Sequence, residues 1–365
     1  MYKEKRNKIL TILLFVQIGL VYFFSKFPDF IEHNYTNGIY IYISIFFRTI
    51  FGWIPFSIGD IVYFTLIVFI IRFLYRFVKN KGTSRKQMLF QFLAGFSIFY
   101  FCFYFFWGLN YSRKPISEYL EIKKEKTELN SGKYDIEKLK VISDKLILSI
   151  IDIQSQLTEN DTLPVIVPYT KNEILHLTKN GYQKLSKKFD QFDYKPSSIK
   201  KSLFSLPLTY MGFSGYLNPL TGEAQVDYLI PKINLPMTCS HEVAHQLGMA
   251  SESEANFIGF LAASFNDDLY FQYSAYLMAI RYTLFDIYRS DPDLYQEYLE
   301  KLPKGVLKNI KESDEFWKKY QNPMEPLFKY FYDNYLKYNQ QKDGLESYNR
   351  MVDLLISYDD KYVLK

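Results

Sequence analysis

Cysteine and histidine are scarce: the 365-residue chain has two cysteines and four histidines. Two thiols, Cys102 and Cys239, are too few for a disulfide-built scaffold. Glycine and proline, at 16 and 14, are ordinary in number and exclude collagen-like and low-complexity disordered classes. Neither sign of charge dominates, since 44 Lys and Arg against 39 Asp and Glu leave only +5. That balance is too mild and too interspersed with acids for a nucleic-acid surface, and no nucleic-acid partner is expected. There is no internal repeat, and no long uncharged run after Ser112.

Aromatic residues are abundant. Phe and Tyr number 33 each and 48% of the chain is hydrophobic, yet 23% is charged, close to an ordinary soluble protein. Such an average conceals a membrane part and a soluble part, and the length suffices for two folding units.

Ile9 to Ser25 is uncharged and about long enough for a helix to cross roughly 30 Å of hydrocarbon. No small-x-small cleavage site follows it, which argues against a removed signal peptide. Residues 58–77 form a second span, with Asp60, Arg72 and Arg76 near the interfaces. Residues 87–112 form the third. Between the first two, residues 38–56 are apolar but interrupted by Arg48, Gly52 and Pro55, so this segment is read as interfacial or re-entrant. Basic clusters before the first span (Lys3, Lys5, Arg6, Lys8) and between the second and third (Arg72, Arg76, Lys79, Lys81, Arg85, Lys86) place both on the cytoplasmic side. Three spans then leave everything after Ser112 outside. The expected division is a membrane domain, 1–112, and an extracytoplasmic domain, 113–365.

In the second domain, residues 135–157 carry apolar side chains at Leu139, Ile142, Leu146, Ile150, Ile153 and Leu157, the spacing of an amphipathic helix. Residues 164–168 and 203–210 are short apolar runs read as strands. Residues 212–230 read as a hairpin around NPLTGE. Beyond Pro236 the pattern is helical, with breaks at Gly248, Asp291-Pro292, Pro303, Asn322-Pro323 and Gly344. Strands first and helices afterwards predict an α+β domain with additional C-terminal helices.

The chemistry concentrates in TCSHEVAHQLG. His241 and His245 are four apart and project from one face of a helix, where both imidazoles reach one zinc ion. Glu242 stands where it can take a proton from zinc-bound water. Gly248 ends the helix, and Ser251 to Glu254 read as a capping box opening another, with Glu252 in its first turn. HEVAHQLGMAS nearly copies the HExxHxxGxxH pattern, but Ser251 stands at the third histidine and serine is a poor zinc ligand. Cys239 is read as core filler, and His33 and His176 as surface or half-buried histidines. Tyr273, Tyr276 and Tyr282 lie on the following helix, with no oxyanion donor assigned among them.

Glu252-Ser253-Glu254-Ala255-Asn256 resembles the Glu-x-x-(Ala/Ser)-(Asp/Asn) pattern of zinc peptidases of the HExxH-plus-Glu class. The likeness implies Glu252 as third ligand, with Glu254 as its competitor, and Asn256 as the residue fastening a ligand histidine. SGYLNPLTGEAQVDYLIP and LPMTCSHEVAHQLGMASESEANF, behind three spans ending in FFWGLNYSRKP, resemble an uncharacterised family of bacterial membrane proteins with a gluzincin-like domain. The resemblance implies a zincin-like fold, one Zn²⁺ per chain and residence in the bacterial cytoplasmic membrane. The expected activity is a membrane-anchored metallopeptidase, its partners the bilayer and a peptide or protein substrate. Its rivals are a zinc hydrolase of cell-wall or lipid amides or esters, and an inactive tethered scaffold or sensor.

Overall fold

A computed structural model of the protein describes residues 2–79, 84–122, 136–341, 344 and 350–364. It is mostly helical with one small sheet. The chain divides into two compact units, Met1–Lys114 with Leu217–Glu223, and Pro115–Tyr216 with Ala224–Lys365. Expected features at Asp135, at Lys81 and at residues 345–349 of the last helix lie outside the described residues.

The first unit contains α1 (Tyr2–Phe24), α2 (Tyr40–Gly52), α3 (Ile58–Lys79) and α4 (Arg85–Phe106). Among the described residues, α1, α3 and α4 are the helices long and apolar enough to cross a membrane. α1 packs along α4. The third apolar helix is shorter than expected: it stops at Phe106 because Trp107 leaves helical geometry at φ −156°, and Gly108–Ser112 forms a 3-10 turn. The 38–56 segment is helical as far as Gly52, α2 continuing without a break from a π-helical stretch, Ile31–Ile39. α2 is not among the described helices long and apolar enough to cross a membrane. α3 begins with Ser57 Oγ accepting from Asp60 N at 2.9 Å. The buried carboxylate of Glu223 accepts from Ile58 N and Gly59 N at 3.2 and 2.5 Å. Negative charge at a helix N-terminus satisfies orphan donors and meets the positive end of the dipole.

In the second unit the amphipathic segment forms α5 (Ile136–Leu157) and buries the anticipated stripe from Leu139 to Ile153. It is followed by α6 (Lys171–Leu185), β1 (Ile199–Lys201), α7 (Ser205–Met211), β2 (Gly215–Asn218) and β3 (Glu223–Val226). The sheet order is β1-β3-β2, with β1 parallel to β3 in the register Ile199↔Ala224. The hairpin is thus present, with β2 at an edge. Residues 203–210, read as a strand, instead enter helix α7. A short apolar run fits either element, and here Gly212 closes a helix at φ 79°. Residues 164–168 join no strand. Asn309 accepts from Val165 N and donates to Val165 O, so one side chain replaces a strand partner for that residue.

The remaining helices are α8 (Leu235–Gln246), α9 (Glu252–Ser264), α10 (Leu269–Ser290), α11 (Pro292–Lys301), α12 (Lys304–Tyr320), α13 (Glu325–Tyr338) and α14 (Met351–Tyr362). α9 is the centre of the core: eleven of its thirteen residues are buried, and it packs against α6, α8, α10 and α14. Cys239 and Tyr273 are core residues, the latter donating to Asn309.

Candidate metal centre

α8 carries His241 and His245 one turn apart, and the following turn orients the second. Gly248 N and Met249 N donate to the carbonyls of His245 and Ala244, closing the helix with a left-handed Gly248 at φ 90°. The turn brings Met249 O to 2.6 Å from His245 Nδ1. A carbonyl only accepts, so Nδ1 keeps a proton, and it is Nε2 that offers a lone pair once the ring is neutral.

α9 lies close against α8 because Gly259 has no side chain. A Cβ there would stand 2.9 Å from His241 N and 2.8 Å from Met237 Cε. The contact aims Glu252 at the histidines. Glu252 Oε2 is 3.3 Å from His241 Nε2 and 3.4 Å from His245 Nε2, and the two nitrogens are 3.0 Å apart. Tetrahedral zinc with ligands near 2.0–2.1 Å requires edges of roughly 3.3–3.4 Å between ligand atoms, so the triangle has the dimensions of three zinc ligands. Glu252 Oε2 is buried with no hydrogen-bond partner, as expected of an oxygen reserved for a cation. The donor set therefore fits a divalent transition metal, and its imidazole and carboxylate composition suits zinc.

Electrostatics follow from burial and mutual proximity. Burial drives His241 below its ordinary value, reinforced by His245. Burial alone would raise Glu252, but the charge of His245 and the closeness of both imidazoles hold it well below the carboxylate range. His245 is depressed by burial yet raised more strongly by Glu252, to about 9. Glu242, beside the triangle in sequence, is pushed up to about 8 by burial, with Glu252 adding to the effect against His245. Its Oε2 makes no hydrogen bond among the described residues, and a Cβ on Gly215 of β2 would fall 2.5 Å from its Oε1.

Asn256, one turn beyond Glu252, lies close enough to His241 to favour its charged form, and its amide donates to Tyr282 Oη at 3.3 Å. Glu254 stands outside the triangle. The anticipated capping box is not formed: Ser251 Oγ pairs with Ser253 Oγ, and Glu254 Oε1 accepts from Ile116 N at 2.8 Å. The distant amide satisfies the carboxylate in place of the local cap.

One site residue escaped sequence reasoning. Tyr332 of α13 donates to Glu252 Oε1 at 2.5 Å and sets its ring edge-on to Phe213 at 5.1 Å. It is one tyrosine among 33 and lies eighty residues from its partner, so no local signal marks it.

No curated protein and no solved structure matches the chain. A family model described as "Protein of unknown function (DUF3810)" matches residues 35–356, most of the chain, and the chain is therefore a member of that family.

Proposed function

We propose that the protein is a membrane-anchored, zinc-dependent metallopeptidase. The reading rests on the His241–His245–Glu252 triangle, whose edges of 3.0 to 3.4 Å suit a single zinc ion, and is supported by the electrostatic interaction of Glu242 with His245 and Glu252. Zinc, when bound there, would supply Lewis acidity toward a substrate carbonyl and toward water.

The chain's own residues would do the rest. His241, His245 and Glu252 hold the ion. Asn256 steadies His241, and the Met249 carbonyl fixes the tautomer of His245. Glu242, within electrostatic reach of His245 and Glu252, would take a proton from water and return it to the leaving amine. β2, an edge strand whose Gly215 borders Glu242, offers backbone donors and acceptors to an extended peptide.

Three apolar helices supply the anchor. Basic residues at the start of α1 and around the α3–α4 connection favour a cytoplasmic N-terminus and an extracytoplasmic metal site, in a bacterial cytoplasmic membrane.

The test is metal content and peptide-library cleavage measured on the same purified full-length samples. About one zinc per chain is expected in wild type, Glu242→Gln and Glu254→Gln, and loss of zinc in Glu252→Gln. Cleavage is expected only in wild type and Glu254→Gln. A folded wild type without zinc overturns the metal reading. Zinc without peptide cleavage replaces the peptidase by a hydrolase of lipid or cell-wall amides and esters.

A further inference from the structure

Glu252 has two carboxylate oxygens with different surroundings. Oε2 faces the two imidazoles at 3.3 and 3.4 Å and makes no hydrogen bond. Oε1 accepts from Tyr332 Oη at 2.5 Å. A free carboxylate near a metal can bind through one oxygen or both, and a strong donor committed to Oε1 leaves Oε2 alone for the ion.

The donor comes from a helix that buries little of its apolar surface. Leu336 is the one fully buried residue of α13, while Leu327, Tyr330, Phe331 and Tyr338 are exposed. Helices with so little apolar burial rank among the more easily opened parts of a fold. The contacts of Tyr332 include the Phe213 ring and the Glu252 carboxylate.

From this geometry we infer that Tyr332 is a positioning residue that commits Glu252 to single-oxygen metal ligation, and that through this bond the metal holds α13 in place. The inference rests on the zinc reading above. Its two halves are linked by thermodynamic reciprocity: if the clasp between Tyr332 and Glu252 strengthens metal binding, metal binding strengthens the clasp to the same degree.

The experiment uses the full-length protein in detergent, with zinc affinity measured by chelator competition and backbone amide exchange followed across residues 325–338. Tyr332→Phe keeps the ring against Phe213 and removes only the hydroxyl. It should weaken zinc binding on the order of 10- to 100-fold, the usual cost of losing a hydrogen-bond partner of a metal ligand. In wild type, stripping zinc should speed amide exchange in 325–338, a measurement that needs no variant. In Tyr332→Phe the exchange should already be fast and change little with metal. Wild-type zinc affinity in Tyr332→Phe, or α13 exchange indifferent to zinc in the wild type, overturns the inference while leaving the zinc site standing. Zinc affinity unchanged in Glu252→Gln overturns the zinc reading itself, and the inference with it.

Discussion

His245 Nδ1 lies 2.6 Å from the carbonyl oxygen of Met249, and the carbonyl is there because Gly248 turns the chain at φ 90°. A helix ending thus doubles as a support for a proposed metal ligand. In Gly248→Ala the left-handed conformation would cost roughly 1–2 kcal/mol. Relaxation of the turn should also withdraw the Met249 carbonyl. The expected outcome is a lower unfolding midpoint together with weaker zinc binding, read by thermal unfolding and chelator competition. Unchanged zinc affinity in a destabilised protein would show that the carbonyl does not govern the imidazole.

Protons compete with metal at the same atoms. His245 in the metal-free protein is raised above its ordinary 6.5 to about 9, burial opposing the change and Glu252 outweighing it. Its stabilising share is fully present below about 6.5 and is lost as pH rises through about 9. Glu252, lowered by the histidines against the effect of burial, contributes above its ordinary 4.5 and loses that share as pH falls through its depressed value. The metal-free fold is therefore favoured by this pair between those limits. Zinc has to expel the His245 proton, so affinity should fall about tenfold for each pH unit below about 9. Calorimetry at pH 7 in two buffers of different ionisation enthalpy should register about one proton released per zinc bound; no release would mean that His245 is already neutral.

Gly215 borders the proposed base too closely for any side chain. The added methyl of Gly215→Ala would meet Glu242 Oε1 at 2.5 Å and the backbone oxygen of Gln225 at 2.7 Å. Peptide cleavage is expected to drop on the order of 100-fold, the scale of a 1 Å misplacement of a reacting group. Zinc content should stay at wild-type level, because the ligands are elsewhere. Parallel loss of zinc would place the damage in the fold rather than at Glu242.

Asn309 serves stability rather than chemistry. It is buried, pairs with both backbone groups of Val165, and accepts from Tyr273 at 2.9 Å. Asn309→Ala strands these groups and should cost about 2–3 kcal/mol, visible as a lower melting temperature with zinc stoichiometry unchanged. A melting temperature like that of wild type would mean that water or repacking satisfies Val165.

Local patterns in the chain were the legible ones. His241 and His245 are coupled by helical spacing alone, and the stripe from Leu139 to Ile153 buries as its periodicity requires. Glu252 was within reach because the helix turn at Gly248 leaves few residues between it and His245. Long-range partners were not legible. Tyr332 reaches Glu252, Ile116 takes Glu254 away from the expected cap, and Asn309 stands in for a strand beside Val165. Each is a contact set by tertiary packing, which overrides local preference without leaving a periodic trace. The stretch 203–210 failed for a related reason: a short apolar run has no period of its own, and its neighbours decide whether it coils or extends.

The segment Leu217–Glu223 belongs with Met1–Lys114 although more than a hundred residues of chain separate them. A recombination event at Lys114 would exchange the apolar helices and leave behind the carboxylate that caps Ile58 and Gly59. Three crossovers, after Lys114, before Leu217 and after Glu223, would be needed to transplant the unit whole. The apolar helices and the unit that carries His241, His245 and Glu252 are therefore expected to change hands together rather than by a single exchange.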